Sequence, residues 1–451
     1  MRQLQLLGMA LLMVIIIPSC SKTDIQAPDT STETSDLSYA SKSSKSTAQV
    51  AIDWMNGYRS IVQTESKNPP QASRIYAYAA IGLYEAVVPG MGGYKSLEGQ
   101  IPGLVNLPNK FKKGQLDFTL AANEALYQIS LSIFGTLNAT NLSRVEALHK
   151  LYMDDALLTL KSKEIIESVD YGKAVAVAVL NRANNDNFAA TRTLTYVVPS
   201  TTINPLYWSP TGAVTNPLEP YWGNLLCYAM PNGAACTIKS TIPFSTDPTS
   251  AFYIQALEVV STTNNLTQAQ KDIALWWADG AGATPTPPGH WVGICTNIAA
   301  QRKLNLGEAA EMFAKVNIAM GDAFISCWNE KYAFNLLRPL SYIRTYIPGQ
   351  STWTPLLGTP PFPEYPSGHS VSSGAAAEML TKMFGKNVAF TDSANISLGL
   401  SPRTFSSFEA AAKEAAISRL YGGIHFREAI DKGITQGQGV ATTLLTKIRF
   451  K

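Results

Sequence analysis

Apolar residues recur every three to four positions through most of the chain, over Val50 to Val62, Ala72 to Val88, Phe118 to Phe134, Arg144 to Leu160, Lys173 to Asn181 and Ser250 to Val260. The period returns at Gln268 to Ala278, Gly293 to Leu304, Gly307 to Asn335, Ser372 to Met383, Phe405 to Tyr421 and Ile430 to Ile448. That is the period of helices with one face turned to a core, and several of the segments are rich in Ala, the strongest helix former. The pattern predicts an all-α protein, a large helical bundle with long irregular loops. Between about 189 and 246 it breaks into Pro, Gly, Asn, Trp and Tyr, so an irregular segment caps or crosses the bundle there. Neither an internal repeat nor a shift in composition divides the remainder, and residues 49–451 read as a single unit.

The N-terminus has a different pattern. Arg2 precedes the continuous apolar run Leu6 to Ile17, which ends in Pro18-Ser19-Cys20. Twelve residues are too few to span about 30 Å of hydrocarbon, but the charged, apolar and small-residue order is that of a secretory signal over 1–19. From 20 to 48 the chain is rich in Ser and Thr and poor in large apolar residues, the composition of a flexible linker. Export would place Cys227, Cys236, Cys295 and Cys327 in an oxidising compartment. A Cys227–Cys236 bridge and separate buried thiols are both open readings, and the spacings fit no zinc pattern.

Thirty-six basic against 33 acidic residues leave a formal charge of +3 over the whole length, with no run of Lys or Arg. That balance excludes a phosphate-backbone binder, so nucleic acid is not an expected partner.

Chemistry gathers in three segments of the C-terminal third. Lys331 and Arg338 stand seven apart, nearly two helical turns, and would offer two cations from one face before Pro339 ends the helix. Pro366-Ser367-Gly368-His369 precedes a helical run and puts a hydroxyl, a flexible backbone N–H and an imidazole at a helix N-terminus, which favours an oxyanion. In Ser418-Arg419-Leu420-Tyr421-Gly422-Gly423-Ile424-His425 the two glycines would break the helix and bring His425 back beside Arg419.

Together these blocks resemble the shared signature of vanadium-dependent haloperoxidases and type 2 phosphatidic-acid phosphatases, over roughly 331–431. The resemblance implies a helical bundle of that type. It implies oxyanion ligands at Lys331, Arg338, Ser367, Gly368 and Arg419, an acid/base at His369, and at His425 the vanadate ligand or phosphoryl-accepting nucleophile. It also implies that Cys20 follows a bacterial lipobox and is acylated, which would leave the chain exported and held on a bacterial membrane by its lipid alone. One position departs: the family usually carries Asp four residues after the last His, and here it is Ala429, with Glu428 and Asp431 at other spacings. A backbone carbonyl could replace the Asp in orienting the ring.

One pocket suits two reactions. In the haloperoxidase reading His369 takes a proton from hydrogen peroxide, and halide attacks the bound peroxide to give hypohalous acid, which passes to small organic acceptors. In the phosphatase reading His425 attacks phosphorus and His369 protonates the leaving alcohol. The long helical N-terminal half, the Thr286–Trp291 segment, Trp328 and the surroundings of His369 resemble bacterial vanadium haloperoxidases. The expectation is therefore a vanadate-dependent haloperoxidase, with a secreted acid phosphatase or a non-catalytic oxyanion-binding lipoprotein as alternatives. Phe362 on the family's halide side and a weakly tuned His425 imply iodide before bromide and little chloride. His290 reads equally as a residue of the pocket mouth or of a capped helix start, and His149 as structural or exposed.

Overall fold

The computed structural model describes residues 46–109, 115–211 and 216–451. The signal segment, Cys20 and nearly all of the linker lie outside them. The described chain is helical, as the periodicity predicts: α1 (Gln49–Thr64), α2 (Pro69–Val87), α3 (Phe118–Ile133), α4 (Ala139–Thr159), α5 (Ser162–Asn184), α6 (Ala251–Asn264), α7 (Gln268–Trp276), α8 (Thr286–Gln301), α9 (Leu306–Phe334), α10 (Pro339–Tyr346), α11 (Gly368–Phe384), α12 (Phe408–Tyr421) and α13 (Arg427–Lys447). Among the described residues no helix is long and apolar enough to cross a membrane.

At 29 residues, about 43 Å, α9 is the longest of these helices, and it packs against both α2 and α11. A capping box starts it, with Asn305 accepting from the Glu308 N–H and Glu308 reaching back to the Asn305 N–H, both at 2.9 Å. It is buried nearly all round, enclosed by its neighbours on almost every side. Midway along it the buried Asp322 accepts the N–H groups of Tyr228, Ala229 and Met230 at 2.7, 2.8 and 3.0 Å, which pins the irregular 189–246 segment to the core.

Two neighbouring helices approach closely because glycine faces backbone. A Cβ on Gly437 of α13 would lie 2.0 Å from the Val371 carbonyl oxygen of α11, and one on Gly374 of α11 would lie 2.5 Å from that of Ile434. This contact sets the N-terminus of α11 against the first turn of α13, where the Ser367 N–H donates to the Ala429 carbonyl at 3.1 Å.

Two expectations change, and one open reading closes. Pro339 does not end a helix: α9 stops at Phe334, with Asn335 left-handed at φ 55°, and Pro339 is the first residue of α10. Proline suits that position because its missing N–H would have had no helical partner. Phe405 ends a strand rather than opening a helix, since Phe390–Asp392 (β1) and Arg403–Phe405 (β2) pair antiparallel. The four described cysteines are free, so the reading of separate thiols holds and the Cys227–Cys236 bridge does not form.

Candidate active site

The site is assembled where chain ends meet: the last turn of α9, the start of α10, the N-terminus of α11 and the turn between α12 and α13. Ser367 caps α11, its Oγ accepting the Ser370 N–H at 3.3 Å, which leaves the hydroxyl hydrogen free to donate elsewhere. Arg419 lies in the last turn of α12. The chain then reverses at Gly422 and Gly423: a Cβ on Gly422 would come within 2.8 Å of Leu357, and Gly423 has φ 74°. At Gly423 the positive φ and a Pro355 Cβ only 2.9 Å from where its own Cβ would lie both favour glycine, and the reversal delivers His425 to the site.

His425 is 3% exposed. Its Nδ1 lies 2.8 Å from Glu364 Oε1, which also accepts the Phe426 N–H at 2.9 Å. Its Nε2 faces Arg338 Nη1 at 3.1 Å. A guanidinium can only donate, so Nε2 must accept, which assigns the ring proton to Nδ1 and its donation to Glu364. The same logic applies at His369, whose Nε2 lies 2.7 Å from Arg419 Nη1. Burial holds both imidazoles well below their usual pKa, helped by Arg338, Lys331 and Arg419 at His425 and by Arg419 and His290 at His369. Both rings are therefore neutral, each with an Nε2 lone pair directed into the site. Burial also raises Glu364 to about 7, against the pull of Arg338 and Lys331.

The cations divide into two kinds. Arg338 donates to the Phe362 and Ile424 carbonyls and Arg419 to that of Trp277, yet Arg338 Nη2 and Arg419 Nε and Nη2 are buried without a partner. Lys331 is fully buried, and its Nζ donates to the carbonyls of Pro363, Glu364 and Pro366 at 3.0, 2.9 and 2.5 Å. Those bonds use all three of its donors. Burial lowers Lys331 to about 7 and each of the two guanidiniums to about 10, which leaves both arginines charged at neutral pH. Two buried guanidiniums with orphaned N–H donors, beside Glu364 and with Asp279 already paired to His290, call for an anion. A tetrahedral or trigonal-bipyramidal oxyanion fits that donor set, and His425 Nε2 offers the lone pair that a bound vanadium would take.

Above this floor opens a cavity of about 660 Å³. His369, Arg419 and His425 line its base, with Trp328 and Phe362, their ring centroids 5.1 Å apart, in its wall.

The same architecture occurs in solved proteins. The crystal structure described as the first bacterial vanadium-dependent iodoperoxidase superposes with a TM-score of 0.83 at 34% identity, over 89% of this chain and 97% of that one. The chain belongs to the vanadium-dependent haloperoxidase family. Residues 311–450 match the family model described as the second helical-bundle domain of VCPO. The vanadium chloroperoxidase of Curvularia inaequalis is 34% identical over 137 residues, a match covering 25% of this chain but only 22% of that protein's length. A bacterial vanadium-dependent chloroperoxidase, in its holo form, has a TM-score of 0.65 at 16% identity over 87% of this chain and 94% of that one, and so shares the fold.

In this haloperoxidase-family member the sequence-predicted residues come together with two adjustments. Lys331 and Arg338 do not share a helix face, because a break separates them and Arg338 caps α10. Arg419 hydrogen-bonds His369 rather than His425, whose cationic partner is Arg338. Glu364 was not predicted. It supplies the carboxylate that Ala429 lacks, so a side chain rather than a backbone carbonyl holds the His425 ring. Its sequence signal is an acid three residues before Ser367 in Pro363-Glu364-Tyr365-Pro366-Ser367.

His290 lies behind the site and not at its mouth. Its Nδ1 is 2.9 Å from Asp279 and its Nε2 2.8 Å from Asp392, and its ring stacks on Trp277 at 4.2 Å. Burial opposes its charge, but the two carboxylates outweigh that and raise it to about 10, so it is an imidazolium between two anions. The Trp277 carbonyl in turn accepts from Arg419 Nη1 at 2.6 Å. His149 is structural, paired with Glu124 at 2.7 Å and stacked on Tyr127.

Proposed function

We propose that the chain is a vanadate-dependent haloperoxidase that oxidises iodide, and bromide less readily, with hydrogen peroxide to hypohalous acid. The observation that carries this reading is the set of orphaned Arg338 and Arg419 N–H groups around two neutral imidazoles. Vanadate, when bound, supplies the Lewis-acid centre that makes peroxide electrophilic. His425 Nε2 would be its protein ligand, with Glu364 fixing the tautomer and orientation of the ring. Arg338 and Arg419 hold the oxyanion, joined by the Ser367 hydroxyl and the N-terminal N–H groups at Gly368. Lys331 adds its charge from behind while tying down the 363–366 loop. His369 Nε2, which accepts from Arg419 Nη1 at 2.7 Å, is the base placed to take a proton from the incoming peroxide.

Reconstitution with orthovanadate should give peroxide-dependent triiodide formation that is lost on vanadate removal. Efficient phosphomonoester turnover with no halide oxidation would reassign the site to phosphoryl transfer through His425. Anion binding without either reaction would leave an oxyanion-binding protein.

The apolar run Leu6 to Ile17, followed by Pro18-Ser19-Cys20, supports export and attachment to a bacterial membrane through acylated Cys20. Fatty-acid labelling that is lost in Cys20→Ala tests this.

A further inference from the structure

One residue of the irregular segment braces the aromatic wall of the cavity. The Leu218 N–H donates to the Pro361 carbonyl at 2.9 Å, while its own carbonyl accepts the indole N–H of Trp328 at 3.1 Å and the hydroxyl of Tyr332 at 2.7 Å. Trp328 and Tyr332 stand one turn apart on α9, and Phe362 follows Pro361, so Leu218 ties both sides of the wall together. What fixes Leu218 is its neighbour. Glu219 is buried, with a left-handed backbone at φ 54° that a glutamate rarely adopts and that persists only where the surroundings hold it. Its Oε1 accepts from Asn68 Nδ2 at 2.9 Å, Gln71 Nε2 at 2.8 Å and Arg192 Nη1 at 2.9 Å, and its Oε2 accepts from Arg192 Nη2. Asn68 in turn caps α2, and the Arg192 guanidinium lies over the Phe188 ring. The carboxylate thus fastens the irregular segment to the bundle. Leu218 lines the cavity, whereas Glu219 does not.

We propose that Glu219 is a positioning residue for halide oxidation, setting through the Leu218 carbonyl the orientation of the Trp328 indole that an incoming halide meets. This rests on the haloperoxidase reading. An aromatic ring is positive at its edge and negative over its face, so whether it attracts or repels an anion depends on how it is turned. An indole has a single hydrogen-bonding group, and in Trp328 that group is held by Leu218 alone. Arg338, by contrast, keeps the Ile424 carbonyl and His425 as partners even where the Phe362 carbonyl shifts. The wall can therefore loosen while the oxyanion cradle stays assembled, and the role of Glu219 lies in halide binding and not in vanadate retention.

Initial rates of triiodide formation by the vanadate-loaded full chain, at saturating peroxide, provide the test. Glu219→Ala should raise KM for iodide at least about tenfold with kcat within about twofold of wild type, the pattern of lost binding and not of lost transition-state stabilisation. Vanadium content after dialysis should not change. Glu219→Gln keeps the acceptor for Asn68 and Gln71 but loses the charge that holds Arg192, and should raise KM by about fivefold. Where thermal melting shows that Glu219→Ala does not fold, Glu219→Gln alone decides. A double-mutant cycle checks the route: in a Trp328→Phe background, which has no indole N–H for Leu218 to hold, either substitution should change KM by no more than about twofold. An unchanged KM in whichever variant folds, loss of vanadium alongside a raised KM, or the same rise in KM in both backgrounds would each overturn the proposal. Triiodide formation by the wild-type enzyme keeps the two questions apart. Its absence counts against the haloperoxidase reading, and its presence beside an unchanged KM in the variants counts against the role of Glu219 alone.

Discussion

Glu364 Oε1 lies 2.8 Å from His425 Nδ1, across 61 residues of sequence, and it receives the only proton this imidazole carries. The carboxylate thereby keeps the Nε2 lone pair facing the cations. Glu364→Ala would strand both Nδ1–H and the Phe426 N–H in a buried setting. We expect vanadate affinity to fall roughly 10- to 100-fold, as for other partners that orient a ligating histidine, with a stability loss of about 1–3 kcal/mol. Glu364→Gln, whose amide oxygen can still accept, should recover part of both. Vanadate titration by calorimetry and thermal melting measure the pair of effects, and unchanged affinity in Glu364→Ala would refute the orienting role.

The two site histidines should fail differently. His425→Ala removes the ligand and should abolish vanadate retention. His369→Ala should keep vanadate while slowing iodide oxidation by roughly 10² to 10⁴, the usual worth of a positioned proton carrier. Dialysis followed by elemental vanadium analysis separates the two, and equal vanadium loss in both variants would contradict the division.

Lys331 and the arginines should also diverge. Because Arg338 and Arg419 retain free N–H groups while Lys331 spends its donors on Pro363, Glu364 and Pro366, Arg338→Ala and Arg419→Ala should each weaken vanadate more than Lys331→Met does. Lys331→Met should instead lower the melting temperature most, since three buried carbonyls lose their donor at about 1–3 kcal/mol each. If Lys331→Met melted like wild type while losing the most vanadate, the lysine would have to be reassigned as a direct ligand.

His290 links folding to pH. Its folded-state pKa is raised to about 10 by Asp279 and Asp392, above an unfolded value of about 6.5. The folded protein therefore holds a proton that the unfolded chain releases first. The stabilisation is complete below about pH 6.5 and declines as pH rises toward 10. His290→Gln should flatten that part of the stability curve measured by urea denaturation. Because the ring also stacks on Trp277, whose carbonyl holds Arg419, the same variant should reduce kcat at neutral pH. A stability curve of wild-type shape in the variant would show that the decline arises elsewhere.

What could be read from the sequence follows from how local each signal is. Ser367 caps a helix whose apolar period begins within a few residues, so its place at an N-terminus was legible, as was the reversal forced by Gly422 and Gly423. Lys331 and Arg338 depart from the helical spacing because proline both ends and begins helices, and seven residues do not say which. Glu364 and the His290 cluster were not legible because their partners are remote: Glu364 meets a ring 61 residues on, and His290 meets a carboxylate 102 residues away. β1 and β2, three residues each, are too short for a period-two pattern to register.

Halide choice is the remaining prediction, and the structure changes its basis. The expectation of a weakly tuned His425 no longer holds, since Glu364 takes the role of the absent Asp. What remains is Phe362. Its ring lines the cavity and lies 5.1 Å from Lys331 Nζ and 4.8 Å from the Arg338 guanidinium carbon. A small, strongly hydrated chloride entering there must give up water and meets an aromatic face in place of a hydrogen-bond donor. Iodide is larger, more weakly hydrated and more polarisable, loses less on entry, and is the easiest of the three to oxidise. We expect kcat/KM for iodide to exceed that for bromide by at least about tenfold, equivalent to about 1.4 kcal/mol, with no measurable chlorination. Phe362→His, which puts a donor in place of the ring face, should narrow the gap between bromide and iodide. Chloride turnover comparable to iodide at matched pH in the wild-type enzyme, or a gap left unchanged by Phe362→His, would show that the ring does not set the order.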